Sequence, residues 1–169
     1  MKQVAIFEKI SFEQFKKDYI NIFGCIPTGF YEMWENIKLP KRATVGSAGY
    51  DFFTPIEFEL SPNKTILLPT GIRCNIDTGY ALKLYPRSGF GFKYKLRLNN
   101  TIGVIDEDYY YSDNEGHIMV KITNETNENK TIYVSNGCAF MQGILEQYFI
   151  TYDDSVTEVR NGGFGSTTR

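Results

Sequence analysis

From about residue 37 onward, short runs rich in Ile, Val, Phe, Tyr and Thr alternate with turn signals, and no other feature limits the possible folds so strongly. The runs include "IEFEL", "TILLPTGIRCNI", "YALKLY", "HIMVKITN" and "TIYVSNG", punctuated by Pro55, Pro62, Pro69, Asn63, Gly79 and the stretch "NETNEN". β-Branched and aromatic residues suit a pleated, half-buried backbone, whereas Pro, Asn and Gly favour chain reversals. Strands at a spacing of roughly 8–12 residues predict an all-β sandwich or barrel rather than alternating βαβ units. The chain contains no GxGxxG and no Walker A pattern, so the common α/β ways of cradling a phosphate are excluded.

One segment has a different period. In "SFEQFKKDYINIFG" (11–24), Phe12, Phe15, Tyr19 and Ile22 or Phe23 recur at helical spacing. Ser11 and Gln14 have the spacing of a capping box, and Gly24 supplies a stop. The aromatic stripe reads as a packing face rather than a ligand site.

Composition narrows the chemistry. A length of 169 residues fits one domain with a real core. A net charge of −2 argues against a broad nucleic-acid face and stable nucleic-acid binding, so any nucleotide contact is local. The single histidine, His117, excludes most His-based metal sites and Ser-His triads. Cys25, Cys74 and Cys138 are widely spaced and form no CxxC pair, which reads as reduced thiols in a cytoplasmic protein. No run reaches membrane-spanning length, and "MKQVAIFEKISFEQF" lacks the apolar core of a signal peptide.

Five stretches exceed what strands require. "GSAGYDF" (46–52) puts the carboxylate of Asp51 after a Gly-rich turn. "PRSGFGFK" (86–93) sets Arg87 and Ser88 beside glycines, a combination suited to phosphate oxygens. "NNTIGVIDEDYY" (99–110) carries the amide of Asn100, then Asp106 and Tyr109. "GCAFMQG" (137–143) offers Gln142. The last is "RNGGFGSTTR" (160–169), one aromatic among three glycines followed by hydroxyls. Such a stretch cannot build a core: it is either a frayed tail or an arm that orders over a ligand, with Phe164 stacking and Ser166 and Thr167 holding phosphate oxygens.

In this order and spacing the five stretches resemble the five motifs of the homotrimeric dUTPases, over about residues 38–169. The resemblance implies an all-β, jelly-roll-like β-barrel at 37–158, a short, partly helical N-terminal extension at 1–36 and a flexible C-terminal arm at 159–169. It also implies a homotrimer with active sites shared between subunits. The implied reaction is hydrolysis of dUTP to dUMP and pyrophosphate with Mg²⁺, water striking the α-phosphorus. That activity keeps uracil out of DNA and supplies dUMP for thymidylate synthesis.

The resemblance also assigns roles. Asp106 matches the aspartate that orients and deprotonates the water, which an ionised carboxylate can do. Tyr109 matches the ring under the deoxyribose that leaves no room for a 2′-hydroxyl. Asn100, six residues before Asp106, lies on the hairpin that reads uracil, with Gly103 and Ile105 beside it. Arg87, Ser88, Gly89 and Gln142 match phosphate contacts. Asp51 is expected near metal-bound waters, with Mg²⁺ held mainly by the triphosphate. Phe164 would stack over the uracil of a neighbouring subunit's site, while Arg160, Gly165, Ser166 and Thr167 would close on the phosphates as a lid.

Some positions depart from the family pattern. Cys138 and Ala139 follow Gly137 where an aspartate is usual, so an ion pair from that aspartate to Arg87 would be missing. "YYSDNEG" intervenes between Tyr109 and His117 and predicts a longer surface hairpin, with His117 structural or solvated. Two rival readings use the same scaffold. A dCTP deaminase would need a catalytic glutamate and lacks the Phe-bearing arm, and a dUTP-sensing regulatory protein would use 1–36 and 110–117 for contact.

Overall fold

The computed structural model describes residues 2–158 and Arg160. Strands dominate. In chain order the elements are β1 (Ala5–Lys9), α1 (Phe12–Phe23), α2 (Phe30–Glu35), β2 (Lys41–Arg42), β3 (Tyr50–Phe53), β4 (Phe58–Leu60), β5 (Thr65–Pro69) and β6 (Ile72–Ile76). There follow β7 (Tyr80–Pro86), α3 (Ser88–Tyr94), β8 (Leu96–Leu98), β9 (Gly103–Ile105), a 3₁₀ helix (Glu107–Tyr111), β10 (Met119–Asn124), β11 (Ile132–Val134) and β12 (Ala139–Gln147). All strand pairs are antiparallel. They form four sheets, ordered β2-β3-β12-β7-β9, β5-β10-β8, β1-β6 and β4-β11, in a jelly-roll-like arrangement rather than one closed barrel.

The sheets share one core. Period-two alternation puts Val120, Ile122 and Asn124 of β10 inward, and Leu82 and Leu84 of β7 likewise. The one amide among them is satisfied: Asn124 Nδ2 donates to the carbonyls of Leu60 at 2.9 Å and Lys130 at 3.0 Å. These bonds latch the "NETNEN" turn to β4 and remove the penalty of a buried polar group.

Helix α1 forms where the aromatic period predicts it. Ser11 Oγ accepts from the backbone N–H of Gln14, and Gly24 ends the helix in the left-handed region at φ 83°. The reciprocal leg of the capping box is not made. Ser11 N–H donates to Glu115 instead, and the Gln14 side chain reaches Asp18. The buried face carries Phe15, fully enclosed, stacked on Phe30 of α2 at 5.4 Å. Truncating Phe15 to Ala would cost about 3–5 kcal/mol.

The N-terminal extension is therefore part of the domain's core. Strand β1, which the sequence did not announce, pairs with β6 from Ala5↔Ile76 to Lys9↔Ile72. Ile10, Phe15 and Phe30 join the same apolar cluster as Leu82 and Ile122. The expected surface hairpin at 110–117 is only partly at the surface: Tyr111 and Asp113 are exposed, whereas Ser112, Gly116 and His117 are buried, with His117 and Glu115 bonded to α1 and its cap.

Candidate active site

Two groups of predicted residues assemble in the chain, one on each face of the five-stranded sheet. On β7, Leu82 and Leu84 point into the core, while Lys83 and Tyr85 point outward to Glu146 of β12, at 2.7 and 3.2 Å. Gln142 is paired with Tyr85 and with Asp51, so all three share the outer face.

The outer group gathers Asp51, Arg87, Ser88 and Gln142. Arg87 follows β7 directly and is the N-cap residue of α3, a helix that the glycines of "PRSGFGFK" had concealed. Its Nε meets Asp51 Oδ1 at 3.1 Å, and Nη1 donates to the Ala139 carbonyl at 3.3 Å. The acidic partner absent from the fourth motif is thus replaced from the first. Gln142 Nε2 donates to the Pro86 carbonyl at 3.5 Å. Gly49 is the reason Gln142 fits: a Cβ there would lie 2.5 Å from Gln142 Oε1. Arg87, Ser88, Tyr85 and Gln142 line an open cleft of about 540 Å³; Ser88 is exposed, as is Gly89, the next residue in the chain. A guanidinium, a hydroxyl and an amide around one cleft suit an anion.

The inner group begins at the tight hairpin-like turn between β8 and β9, strands of two different sheets joined here by a single bridge, Leu98↔Thr101. Thr101 takes φ 67° at its tip, and its N–H donates to the Leu98 carbonyl at 2.8 Å. Asn100, Gly103, Ile105 and Leu84 line a cavity of about 420 Å³ that is mostly apolar. Gly103 is packed against Leu84, which a Cβ would approach to 3.1 Å. A flat ring with polar edges fits such a slot: apolar walls hold its faces while hairpin backbone groups meet its rim.

Asp106 follows Ile105 directly and precedes the 3₁₀ helix. Its carboxyl is half-exposed and held above the ordinary carboxylate range. Burial is the largest cause, and the charges of Asp108 and Glu107 add to it, while Arg160 opposes the shift. Arg160 Nη2 lies 2.5 Å from Asp106 Oδ2, and its Nε lies 3.0 Å from Asp108 Oδ1. The same guanidinium stands 5.6 Å from the centroid of the Tyr109 ring. Tyr109 is buried, with its hydroxyl donating to the His117 carbonyl at 2.8 Å, and burial pushes its pKa up to about 12.

Arg160, expected on phosphates, therefore rests on Asp106 of its own chain. Phe164, Gly165, Ser166 and Thr167 lie outside the described residues. Sequence reasoning gave no role to Asp108 or to Gly49. Asp108 stands inside "IDEDY", but only the folded position of Arg160 shows what it binds. His117 is structural: wholly buried and paired with Asp18.

The dUTPase family model matches residues 35–168. The deoxyuridine 5'-triphosphate nucleotidohydrolase of Lactococcus lactis is 38% identical over 134 residues, covering 78% of this chain and 88% of that protein. The corresponding protein of Finegoldia magna is 37% identical over 139 residues, covering 78% and 92%. Among solved structures, a dUTPase from Streptococcus mutans superposes with a TM-score of 0.63 at 32% identity, covering 86% of this chain and 97% of that one. A mutant dUTPase from Staphylococcus aureus phage phi11, described with a structural Mg(II) ion, shares the fold with a TM-score of 0.63 at 19% identity, covering 92% and 98%.

Proposed function

The chain belongs to the dUTPase family, and we propose that it hydrolyses dUTP to dUMP and pyrophosphate by attack of water at the α-phosphorus. The observation that supports this reading is that Asp106 directly follows Ile105, a residue of the cavity wall, where β9 ends. Uracil would occupy the cavity, read by backbone groups around Asn100. A 4-amino group there would leave a donor facing a donor, which disfavours cytosine. Tyr109 would lie under the deoxyribose.

Asp106 would take the proton of the attacking water. A carboxyl whose pKa is raised by burial is, once ionised, a better base than an unperturbed one. Arg87, Ser88, Gly89 and Gln142 would hold phosphate oxygens. Because their cleft opens on the opposite sheet face from the hairpin cavity, one chain does not bring the two groups together. A homotrimer, in which one subunit's outer group meets another's inner group, supplies the missing half. On substrate binding, Arg160 would leave Asp106 for the triphosphate, and residues 159–169 would close as the arm, with Phe164 over the base and Gly165, Ser166 and Thr167 at the phosphates.

Among the described residues no group of three or more His, Cys, Asp or Glu side chains could cage a metal ion. A donor set of one carboxylate, Asp51, fits a Mg²⁺ carried mainly by the triphosphate, with Asp51 facing its waters. When bound, that ion supplies neutralisation of phosphate charge. No helix among the described residues is long and apolar enough to cross a membrane. The free thiols of Cys25, Cys74 and Cys138 support work in the cytoplasm, where thiols stay reduced.

The test is product analysis with dUTP and Mg²⁺ in ¹⁸O-labelled water. Label should enter dUMP and not pyrophosphate. Label in pyrophosphate would move the attack to the β-phosphorus, and conversion of dCTP to a deaminated product would replace the assignment altogether.

A further inference from the structure

The N-terminal segment is fastened at three points to the loop that leaves Tyr109. Tyr110 donates its hydroxyl to Glu8 Oε2 at 2.5 Å, and Arg73 pairs with that carboxylate at 3.2 Å while lying 4.4 Å from the Tyr110 ring centroid. Glu115 accepts from both the backbone N–H and the hydroxyl of Ser11, at 2.8 and 2.6 Å, where α1 begins. His117 Nδ1 meets Asp18 Oδ2 at 2.6 Å, in the middle of α1.

The third point fixes a tautomer. His117 Nε2 is 2.9 Å from the backbone N–H of Gly71, which can only donate, so Nε2 is the acceptor. The ring proton is then on Nδ1 and points at Asp18. With both nitrogens engaged and no exposure to solvent, the imidazole cannot turn. Its own main-chain carbonyl is the acceptor for the Tyr109 hydroxyl at 2.8 Å, and Asn114 Nδ2 donates to that hydroxyl at 2.9 Å. Gly116 closes the loop at φ 70°, where a Cβ would lie 2.7 Å from Tyr110 Cα. The connection thus runs from α1 through the His117 ring and backbone to the far end of the Tyr109 side chain.

We propose that Asp18 and His117 are positioning residues for Tyr109, so that the N-terminal segment takes part in the choice between deoxyribose and ribose. The inference rests on the reading of Tyr109 as the ring beneath the sugar. A steric wall discriminates only while it is held still. Misplacement by about 1 Å in an active site can change rates by about 10²-fold, and a tyrosine whose anchor has loosened can tilt away from a 2′-hydroxyl.

The experiment compares kcat/KM for dUTP and UTP in the assembled 169-residue chain and its variants. Asp18→Ala leaves the Nδ1 proton of His117 without its acceptor, and should lower the dUTP-to-UTP ratio on the order of tenfold. Asp18→Asn keeps an acceptor oxygen and should restore most of the ratio, which a general loss of stability would not produce. Glu115→Ala breaks the outer fastening without opening the core. It should shift the ratio the same way by a few-fold, and it keeps the test alive if Asp18→Ala does not fold. In a Tyr109→Phe background the hydroxyl link is already severed, so a change at position 18 should add nothing further.

An unchanged ratio in folded Asp18→Ala and Glu115→Ala would overturn the proposal, as would additive effects in the double variant. If Tyr109→Phe and Tyr109→Ala both leave the ratio unchanged, the failure belongs to the assignment of Tyr109 to the sugar. A ratio that moves with Tyr109 but not with Asp18 or Glu115 overturns the positioning role alone.

Discussion

Arg160 lies on Asp106: Nη2 stands 2.5 Å from Oδ2, and the neighbouring Nε is shared with Asp108 at 3.0 Å. Burial holds the Asp106 carboxyl above the ordinary range against the opposing charge of Arg160. The folded state therefore keeps a proton over a pH window in which the unfolded chain, with a pKa of about 3.9, has lost it. Its contribution to stability is full below the unfolded pKa and is lost as pH rises through the folded one. For catalysis the same shift puts the acid limb of kcat/KM above the usual aspartate range. Arg160→Ala removes the lowering charge and should move that limb to higher pH. A pH–rate profile checks this, and an unmoved limb would separate Arg160 from the base.

Asp106→Asn keeps the shape and loses the basicity. Turnover should fall by roughly 10²–10⁴-fold while a non-hydrolysable dUTP analogue still binds. Calorimetry and single-turnover kinetics separate the two quantities. Near-normal turnover would remove Asp106 from the mechanism.

The opposite-face placement of Gln142 and the hairpin cavity makes a prediction about mixed assemblies. Chains carrying Arg87→Ala and chains carrying Asp106→Asn should each be poorly active alone. Trimers formed by refolding them together in equal amounts should recover about a quarter of full activity, since each mixed trimer has one site with both halves intact. No recovery at all would mean that both halves of a site come from one chain.

Gly49→Ala would push a methyl group toward Gln142 Oε1, which sits 2.5 Å from the ideal Cβ position. Only the end of a flexible side chain has to move, so the fold should survive with little change in Tm. Gln142 would be turned from the outer cleft, and KM for dUTP should rise several-fold, in the range of one lost hydrogen bond of about 1 kcal/mol. Steady-state kinetics beside a thermal melt would show it. A large fall in Tm with unchanged KM would make Gly49 a folding residue instead.

The cysteines should divide two to one. Cys25 and Cys138 are exposed, whereas Cys74 of β6 is buried and its thiol is pushed up to about 12 by desolvation. The thiolate is the reactive form. Native protein at mild alkaline pH should take alkylating label at Cys25 and Cys138 only, with Cys74 joining after denaturation. Mass mapping of the labelled peptides reads the outcome, and early labelling of Cys74 would show that the β1–β6 layer opens.

What the sequence determined by itself is what short-range rules govern. Strand texture, the α1 stripe, the Ser11 N-cap and the Gly24 stop follow from bond geometry and from the pitch of a helix, so each is written within a few residues. The five glycine-bearing stretches are legible for a similar reason, since close backbone approach to a ligand leaves a local mark in residue type. Tertiary structure alone decided the pairings that span the chain. Asp18 and His117 are 99 positions apart, Arg87 took Asp51 in place of the missing fourth-motif acid, and Ser112, Gly116 and His117 became buried. Neither β1 nor α3 stood out, because their residues gain stability mainly from neighbours supplied by distant segments. A side-chain contact between remote residues depends on how sheets pack and on which face each strand presents, and neither is encoded in any one window of sequence. For the same reason the sequence could name Gly103 and Gln142 but could not place the hairpin cavity and the outer cleft on opposite faces of one sheet.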